Sequence, residues 1–458
     1  MLPDRQIDNC SDPLRLMNMK RMALLLLGTL GMACAADWPQ WMGEQRDGVW
    51  REAGVRKDLP KDGGNVQWRA PVSLGYAGPA VAKGKVYVPD FVMTDNDFDG
   101  KSQGAHPRKG RERILCLDAN TGKVLWKHGY EVTYNVSYPG GPRVTPTVID
   151  DRLYFQSTMG HFMCLDANTG DVVWQHDICQ RYRCEPPRWG YSSHPLVHGD
   201  LVYAVAGGYE QVLVALDKKT GEERWKALSA KEAGYCPPRI FKQAGLEQLL
   251  FWYPTEVVSL NPTSGQSYWS VDLEPVYSIS RMSPRQWGNK LYIAGPGKQV
   301  AVMLEFDEQK PAVRELWRGG VDKAVYPLNA PPQMRDGVIY GVDSESSALV
   351  AVSMEDGEHL WSTKAASLAP ETSKKARHGT AFLVYHEINK QYWIFGEMGD
   401  LILAELSPAG YKELGRQHIL EPTNGAWGRK VVWTHPAFAD KSIFARNDNE
   451  LVRVDLSE

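Results

Sequence analysis

The sequence predicts an all-β protein: an eight-bladed β-propeller of four-stranded blades, its ring closed by an N-terminal strand that completes the last blade. Three observations predict it. The stretch Cys116-Leu117-Asp118-Ala119-Asn120-Thr121-Gly122, ending on Trp126, returns at residues 164–174 and 215–225, ending on Trp174 and Trp225. A repeat this close, at a spacing of about fifty residues, is the signature of an array. Second, a proline is followed seven and eight residues later by an aliphatic–aromatic pair, as at Pro79, Pro146, Pro195, Pro284, Pro332 and Pro436, with looser copies at Pro238 and Ala381. That makes eight units. Third, the eighth unit ends after the strand 450–455, one strand short, while Val66-Gln67-Trp68-Arg69 near the other end reads like the missing one. An array completed by its own first strand closes into a ring.

Composition agrees with a large β-rich chain. Its 458 residues include 42 glycines and 29 prolines, and helix-period segments are scarce, which favours many short strands and turns. With 52 Lys and Arg against 55 Asp and Glu, the basic excess of a nucleic-acid binder is missing. A hydrophobic share of 43% supplies the apolar surface that disordered chains lack.

Taken in order, residues 1–36 read as an N-terminal extension with a signal peptide. Lys20-Arg21 precedes the apolar run 23–30, and Ala33 and Ala35 form an A-x-A cleavage pattern, so a mature chain is expected to start near Asp37 in the periplasm. Residues 1–18 are polar, which moves the expected start to Met17 or Met19. An outer-membrane lipoprotein anchored at Cys34 is the disfavoured alternative, because Gly31 stands where leucine is wanted. The apolar run is too short to span a bilayer, and no later stretch in the mature chain reaches that length. Residues 37–64 form a loop-rich segment, and 65–458 the propeller, with 65–72 completing the last blade.

Within each unit the first strand follows the proline, which cannot donate a ladder hydrogen bond and so belongs at a strand start or edge. The third strand ends at Leu-Asp and the fourth is expected to end at the tryptophan. Between them Asp-x-x-Thr-Gly builds a tight reversal, the Asp accepting backbone N–H groups and the Gly supplying a positive φ. Trp68, Trp126, Trp174, Trp225, Trp269, Trp317 and Trp361 are expected to wedge between neighbouring blades.

The pattern A-x-D-x-x-T-G-x-x-x-W at 215–225, with Cys replacing Ala in two copies, resembles the tryptophan-docking motif of quinoprotein propellers. Asp37-Trp38-Pro39-Gln40-Trp41, then Gly43 and Arg46-Asp47-Gly48, is similar to the mature start of envelope PQQ-repeat proteins, with Met42 where arginine is usual. Two subfamilies share the motif. One comprises the PQQ-dependent alcohol and sugar dehydrogenases; the other comprises BamB-like envelope proteins, which have the fold without the cofactor. The resemblance to dehydrogenases implies a disulfide of adjacent cysteines and a Glu–Asn–Asp calcium set. No Cys-Cys pair occurs, and that set cannot be placed on this sequence. No cofactor is therefore expected, with PQQ and calcium the alternative.

Aligning the units on the proline converges two columns on the channel. The nine candidate funnel residues are Tyr76, Arg143, His194, Tyr235, Arg281, Asn329, His378, Trp433 and His435. Arginines, histidines and aromatic faces suit a small polar or anionic ligand, against the plainer expectation of a hydrated channel. Asp95, Asp97 and Asp99, before Gly100, spell half of a calcium loop, but His106 stands where its bidentate Glu is wanted; a solvated acidic loop is favoured. Cys179 and Cys184 flank a short loop and are the candidate disulfide of an oxidising compartment. Hydrolase and phosphate-loop motifs are absent. The reading is an exported, non-catalytic, monomeric propeller serving as a binding or assembly scaffold for an envelope protein. The alternatives are a PQQ-dependent dehydrogenase, and a carbohydrate-binding propeller stacking sugars on Trp433 and the tyrosines.

Overall fold

The computed structural model describes residues 36–59, 65–94, 107–297, 299–368 and 376–458. The signal-peptide residues, Cys34, and the loop carrying Asp95, Asp97 and Asp99 lie outside the described residues. Eight antiparallel sheets form the ring. Blades 1 to 7 occupy residues 80–134, 147–177, 196–227, 239–272, 285–318, 333–363 and 381–418. Blade 8 takes three strands from 437–455, and Asn65–Pro71 adds its fourth by pairing antiparallel with Glu450–Asp455. The predicted ring and its closure are therefore present.

Each inner strand starts just after the aligned proline, for example Thr147–Ile149 after Pro146 and Arg285–Trp287 after Pro284. The fourth strands depart from expectation. They run past the tryptophan, as in Val124–Tyr134 and Val172–Asp177, and do not end on it. Blade 1 is longest: its last two strands extend as an arm over Arg108–Asp118 and Val124–Tyr134. There Glu112 is fully buried and accepts hydrogen bonds from the hydroxyls of Tyr130, at 2.8 Å, and Tyr134.

The repeat turn works by local hydrogen bonding. Asp118 Oδ1 accepts from the backbone N–H of Asn120 and Thr121 at 3.1 and 2.8 Å, and from the Thr121 hydroxyl at 2.9 Å. The tryptophans then tie blade to blade. The indole N–H of Trp68 donates to the carbonyl of Ala119 in the next blade (2.9 Å), and that of Trp225 to Pro262 (2.9 Å). Trp126, Trp174, Trp317 and Trp361 bond to Ala167, Lys218, Met354 and Ser407 in the same way. In Trp68, Trp126, Trp174, Trp225 and Trp317 the ring also lies against the glycine of the turn it meets. Gly265 sits at φ +73°, and a Cβ there would come within 2.6 Å of Trp225 Cε3.

Trp269 is the exception to the expected wedge. The next blade's turn, Asp307 to Pro311, has no glycine, so the ring finds no flat seat. It turns its N–H to Gln248 of its own blade (2.9 Å) and meets Phe306 edge-on.

Residues 36–59 contact all eight blades. Trp38 exchanges backbone bonds with Val81 of blade 1, and Pro39 accepts from Val148 of blade 2. Arg46 donates to the carbonyls of His194 and Pro195 at blade 3. Arg239, Arg285 and Gln333 of blades 4, 5 and 6 donate to backbone carbonyls between Gln45 and Gly48. Val49–Trp50 adds a fifth, parallel strand to blade 7, and Glu52 accepts from the Lys441 N–H of blade 8. An irregular backbone buried in a channel must find hydrogen-bond partners, and the first residues of the inner strands supply them here. Burial holds the guanidinium groups below their usual range, Arg46 at about 9 with Arg239 adding to the effect, Arg239 at about 10 and Arg285 at about 9. The loop-rich segment is thus a plug that closes one end of the channel.

Candidate functional site: a blind central funnel

Beyond the plug the channel widens into a cavity of about 660 Å³, within the range of small-molecule sites. All nine sequence-derived funnel residues line it. They sit in the connectors that lead into the inner strands, not on the strands themselves. For all but His378, whose strand begins at Ala381, the physical reason is the proline that follows them: the ladder cannot begin until it is passed.

Many of the nine are committed to holding the funnel's own walls. Arg143 donates to four backbone carbonyls, those of Ser137, Tyr138, Gly141 and Trp189, and its guanidinium lies over the Tyr76 ring. Tyr76 donates to Asn424 (3.2 Å), and Trp433 to buried Glu397 (3.0 Å). Asn329 uses both ends of its amide, on Arg281 and on Thr380. The Tyr235 hydroxyl accepts from the Trp189 N–H.

The histidines are neutral. Burial pushes His435 down to about 3, and its Nε2 lies 3.2 Å from the Asn329 carbonyl. Burial, reinforced by Arg46 and His435, takes His194 well below its usual value. Its Nδ1 accepts from the Thr145 N–H at 3.0 Å, which leaves the ring proton on Nε2. His378 falls to about 4 through burial and the positive charges of Arg281, Arg377 and Arg429.

Several further lining residues carry no periodic signal, although the segment 184–190, with Arg188, reads from the sequence as a rim element between two blades. Trp41 of the plug forms the floor, stacked on His194 with ring centroids 4.7 Å apart and edge-on to His435. Trp427, 47% exposed, stands at the tip of a hairpin inserted between blades 7 and 8, edge-on to His378. Tyr277, 72% exposed, lies in the connector between blades 4 and 5. Arg188, over the Trp189 ring, and Arg377 add charge. The one available signal was position: apart from Trp41 in the plug, these side chains fall in connectors between blades.

Among the described residues the lining brings four arginines (143, 188, 281 and 377) against one carboxylate, Glu345. Four of its residues also hold a buried polar atom with no protein partner: Trp41 Nε1, Ser192 Oγ, Arg281 Nε and His378 Nδ1. Calcium wants several hard oxygens gathered round it. With Asn329 committed and one carboxylate in the lining, the donor set does not fit a calcium-held quinone. Among the described residues no three His, Cys, Asp or Glu side chains gather as a metal-ligand group.

Cys179 and Cys184 stand together behind the rim, either end of the short helix Ile178–Tyr182, as free thiols. The expected disulfide is not formed: both sulfurs instead make hydrogen-bond contact with the Tyr191 hydroxyl, at 3.6 and 3.5 Å. Among the described residues no helix is long and apolar enough to cross a membrane.

No curated protein matches the sequence. Two of the solved structures that share the fold are a BamB and a quinohemoprotein alcohol dehydrogenase. BamB from Moraxella catarrhalis is 13% identical, with a TM-score of 0.53, over 85% of this chain and 97% of that one. Quinohemoprotein alcohol dehydrogenase from Comamonas testosteroni is also 13% identical, with a TM-score of 0.58, over 92% of this chain and 81% of that one. At that identity the likeness speaks for architecture, and function has to be argued from the site. The sequence model of the outer membrane protein assembly factor BamB family matches residues 52–177, 110–240 and 254–458, which together take in most of the chain. The chain belongs to the BamB family of PQQ-type repeat propellers.

Proposed function

We propose that this chain is an exported, non-catalytic propeller of the bacterial envelope that binds a ligand or partner at the open mouth of its blind funnel. One observation carries the reading: the 36–59 segment plugs the ring, so the cavity ends on Trp41 and opens where the aromatic side chains Trp427 and Tyr277 stand exposed. A one-ended cavity with a rigid floor holds what enters it. Membership of a family described as an outer membrane assembly factor supports an envelope role, and the A-x-A pattern before Asp37 supports export.

The dehydrogenase alternative is supported by the fold shared with a quinohemoprotein alcohol dehydrogenase, and it is weakened by the donor set described above. The decisive experiment adds PQQ and calcium to the purified protein and follows dye reduction with alcohols and aldoses. The expected result is no turnover; turnover with stoichiometric quinone would overturn the non-catalytic reading. Fractionation of cells expressing the full chain tests export. A periplasmic product starting near Asp37 is expected, and an uncleaved cytoplasmic product would refute it.

A further inference from the structure

We propose that the funnel is a metal-independent site for a small organic oxyanion, a carboxylate or a phosphate ester, with Arg281 as its principal reader. This inference rests on the funnel being a ligand site. Arg281 is held from two sides. Its Nη1 donates to Asn329 Oδ1 at 2.8 Å, and its guanidinium carbon stands 5.7 Å from the centre of the Tyr235 ring. That anchoring fixes the plane of the group and leaves the Nε–Nη2 edge without a protein partner, Nε being buried. A fixed guanidinium edge with two parallel N–H groups is the shape that pairs with two oxygens of a carboxylate or phosphate.

The surroundings ask for the same chemistry. Trp41 Nε1 is a donor and nothing else, and it is buried without an acceptor at the floor. Ser192 Oγ and His378 Nδ1 are also buried and unpaired on this surface. A buried unpaired donor costs on the order of 1–3 kcal/mol; Trp41 Nε1 and Arg281 Nε are obligate donors on residues that line this cavity, so an acceptor-rich occupant suits them. The nearest charges are of one sign: Arg281, Arg377 and Arg429 all act on His378. Arg429 is paired through its Nε with Glu397 at 2.7 Å and does not line the cavity, and Arg143 is spent on backbone carbonyls. Of the lining arginines, Arg281 is the one both anchored by a side-chain hydrogen bond and an aromatic face and left with a buried, unpaired Nε. A ligand charge met directly by guanidinium needs no bridging metal, and the lining offers one carboxylate, Glu345, with which to hold a metal.

The test is calorimetric titration of the purified protein, in excess EDTA, with citrate, with glucose 6-phosphate, and with glucose as the uncharged control. The expected result is one-site binding of at least one charged probe, weakened by added salt and absent for glucose. Which probe binds separates carboxylate from phosphate. Arg281→Gln should weaken that binding by about tenfold or more, the scale of one bidentate charge-assisted contact. Arg281→Lys, which keeps the charge and loses the fork, should recover little of it. Circular dichroism of both variants establishes that they fold. Binding that requires calcium, or that is unchanged in Arg281→Gln, overturns the proposal. Glucose bound as well by Arg281→Gln as by the parent would remove the oxyanion class and leave a carbohydrate-binding funnel. Failure of both charged probes would overturn the oxyanion site, while the reading of the funnel mouth as a binding surface would fail separately, if pull-down from envelope extracts captured nothing.

Discussion

Replacing Gly265 by alanine, beside Gly245 by alanine as its control, separates two costs that the repeat turn combines. Both glycines belong to blade 4 and have the same backbone conformation, φ +73° and +72°. An alanine forced into the left-handed region costs roughly 1–2 kcal/mol at either site. Their surroundings differ. No atom lies within 4 Å of the Cβ position at Gly245, whereas at Gly265 the Trp225 ring would meet a Cβ at 2.6 Å from Cε3 and 2.9 Å from Cδ2. Trp225 is 8% exposed and tied by its N–H to Pro262, so it cannot swing aside without losing that bond. Overpacking of this kind adds about 1–3 kcal/mol. The expected loss is therefore about 1 kcal/mol for Gly245→Ala and about 3 kcal/mol for Gly265→Ala, read from urea unfolding followed by far-UV circular dichroism. Equal losses at the two sites would refute the idea that the glycine exists to seat the neighbouring tryptophan, and would reduce the motif to turn geometry alone.

Two further perturbations probe the plug and the buried arm. Trp50 is fully buried, packed against His386, Trp393 and Phe438. Trp50→Ala should cost about 3–5 kcal/mol and speed hydrogen exchange of the amides from Trp38 to Trp50 more than those of the inner strands; exchange rising uniformly round the ring would mean that the segment is no separate plug. Glu112 is raised by burial to about 7 from an ordinary 4.5, its two tyrosine hydrogen bonds opposing the shift. Because the folded value is the higher one, the folded state binds the proton more tightly. Its contribution is complete below pH 4.5, fades as pH rises towards 7, and is gone above that. Glu112→Gln should flatten stability across this window, by on the order of 3 kcal/mol between its ends; an unchanged pH profile would show that the carboxyl is ionised in the arm at no cost.

The parts of this protein that could be read from its sequence are those built by local, repeated chemistry. The Asp118 turn needs residues within three positions of one another, so each copy declares itself. Trp269 shows the same logic from the other side. Its ring turns back to its own blade where the turn forty residues on has no glycine, a difference visible in the letters. The funnel columns were legible for a related reason: eight copies of one connector aim the same two positions inwards. Their availability was not. Arg143 and Arg281 occupy the same column, yet one is consumed by four carbonyls and the other keeps a free edge, because the two connectors run different paths. Cys179 and Cys184 stand side by side as thiols sharing Tyr191.

By itself the sequence determined the number of blades, the turn that makes each of them, and the closure of the ring through Trp68. All three depend on contacts between residues near in the chain or on a pattern that repeats. Only the tertiary structure decided that the channel is blind. The 36–59 segment has no period, and its backbone is satisfied by Arg239, Arg285 and Gln333, residues about two hundred positions or more away and unremarkable where they stand. Which donors remain free in the funnel is likewise a balance of hydrogen bonds among distant groups, and a balance of that kind exists only once the chain has folded.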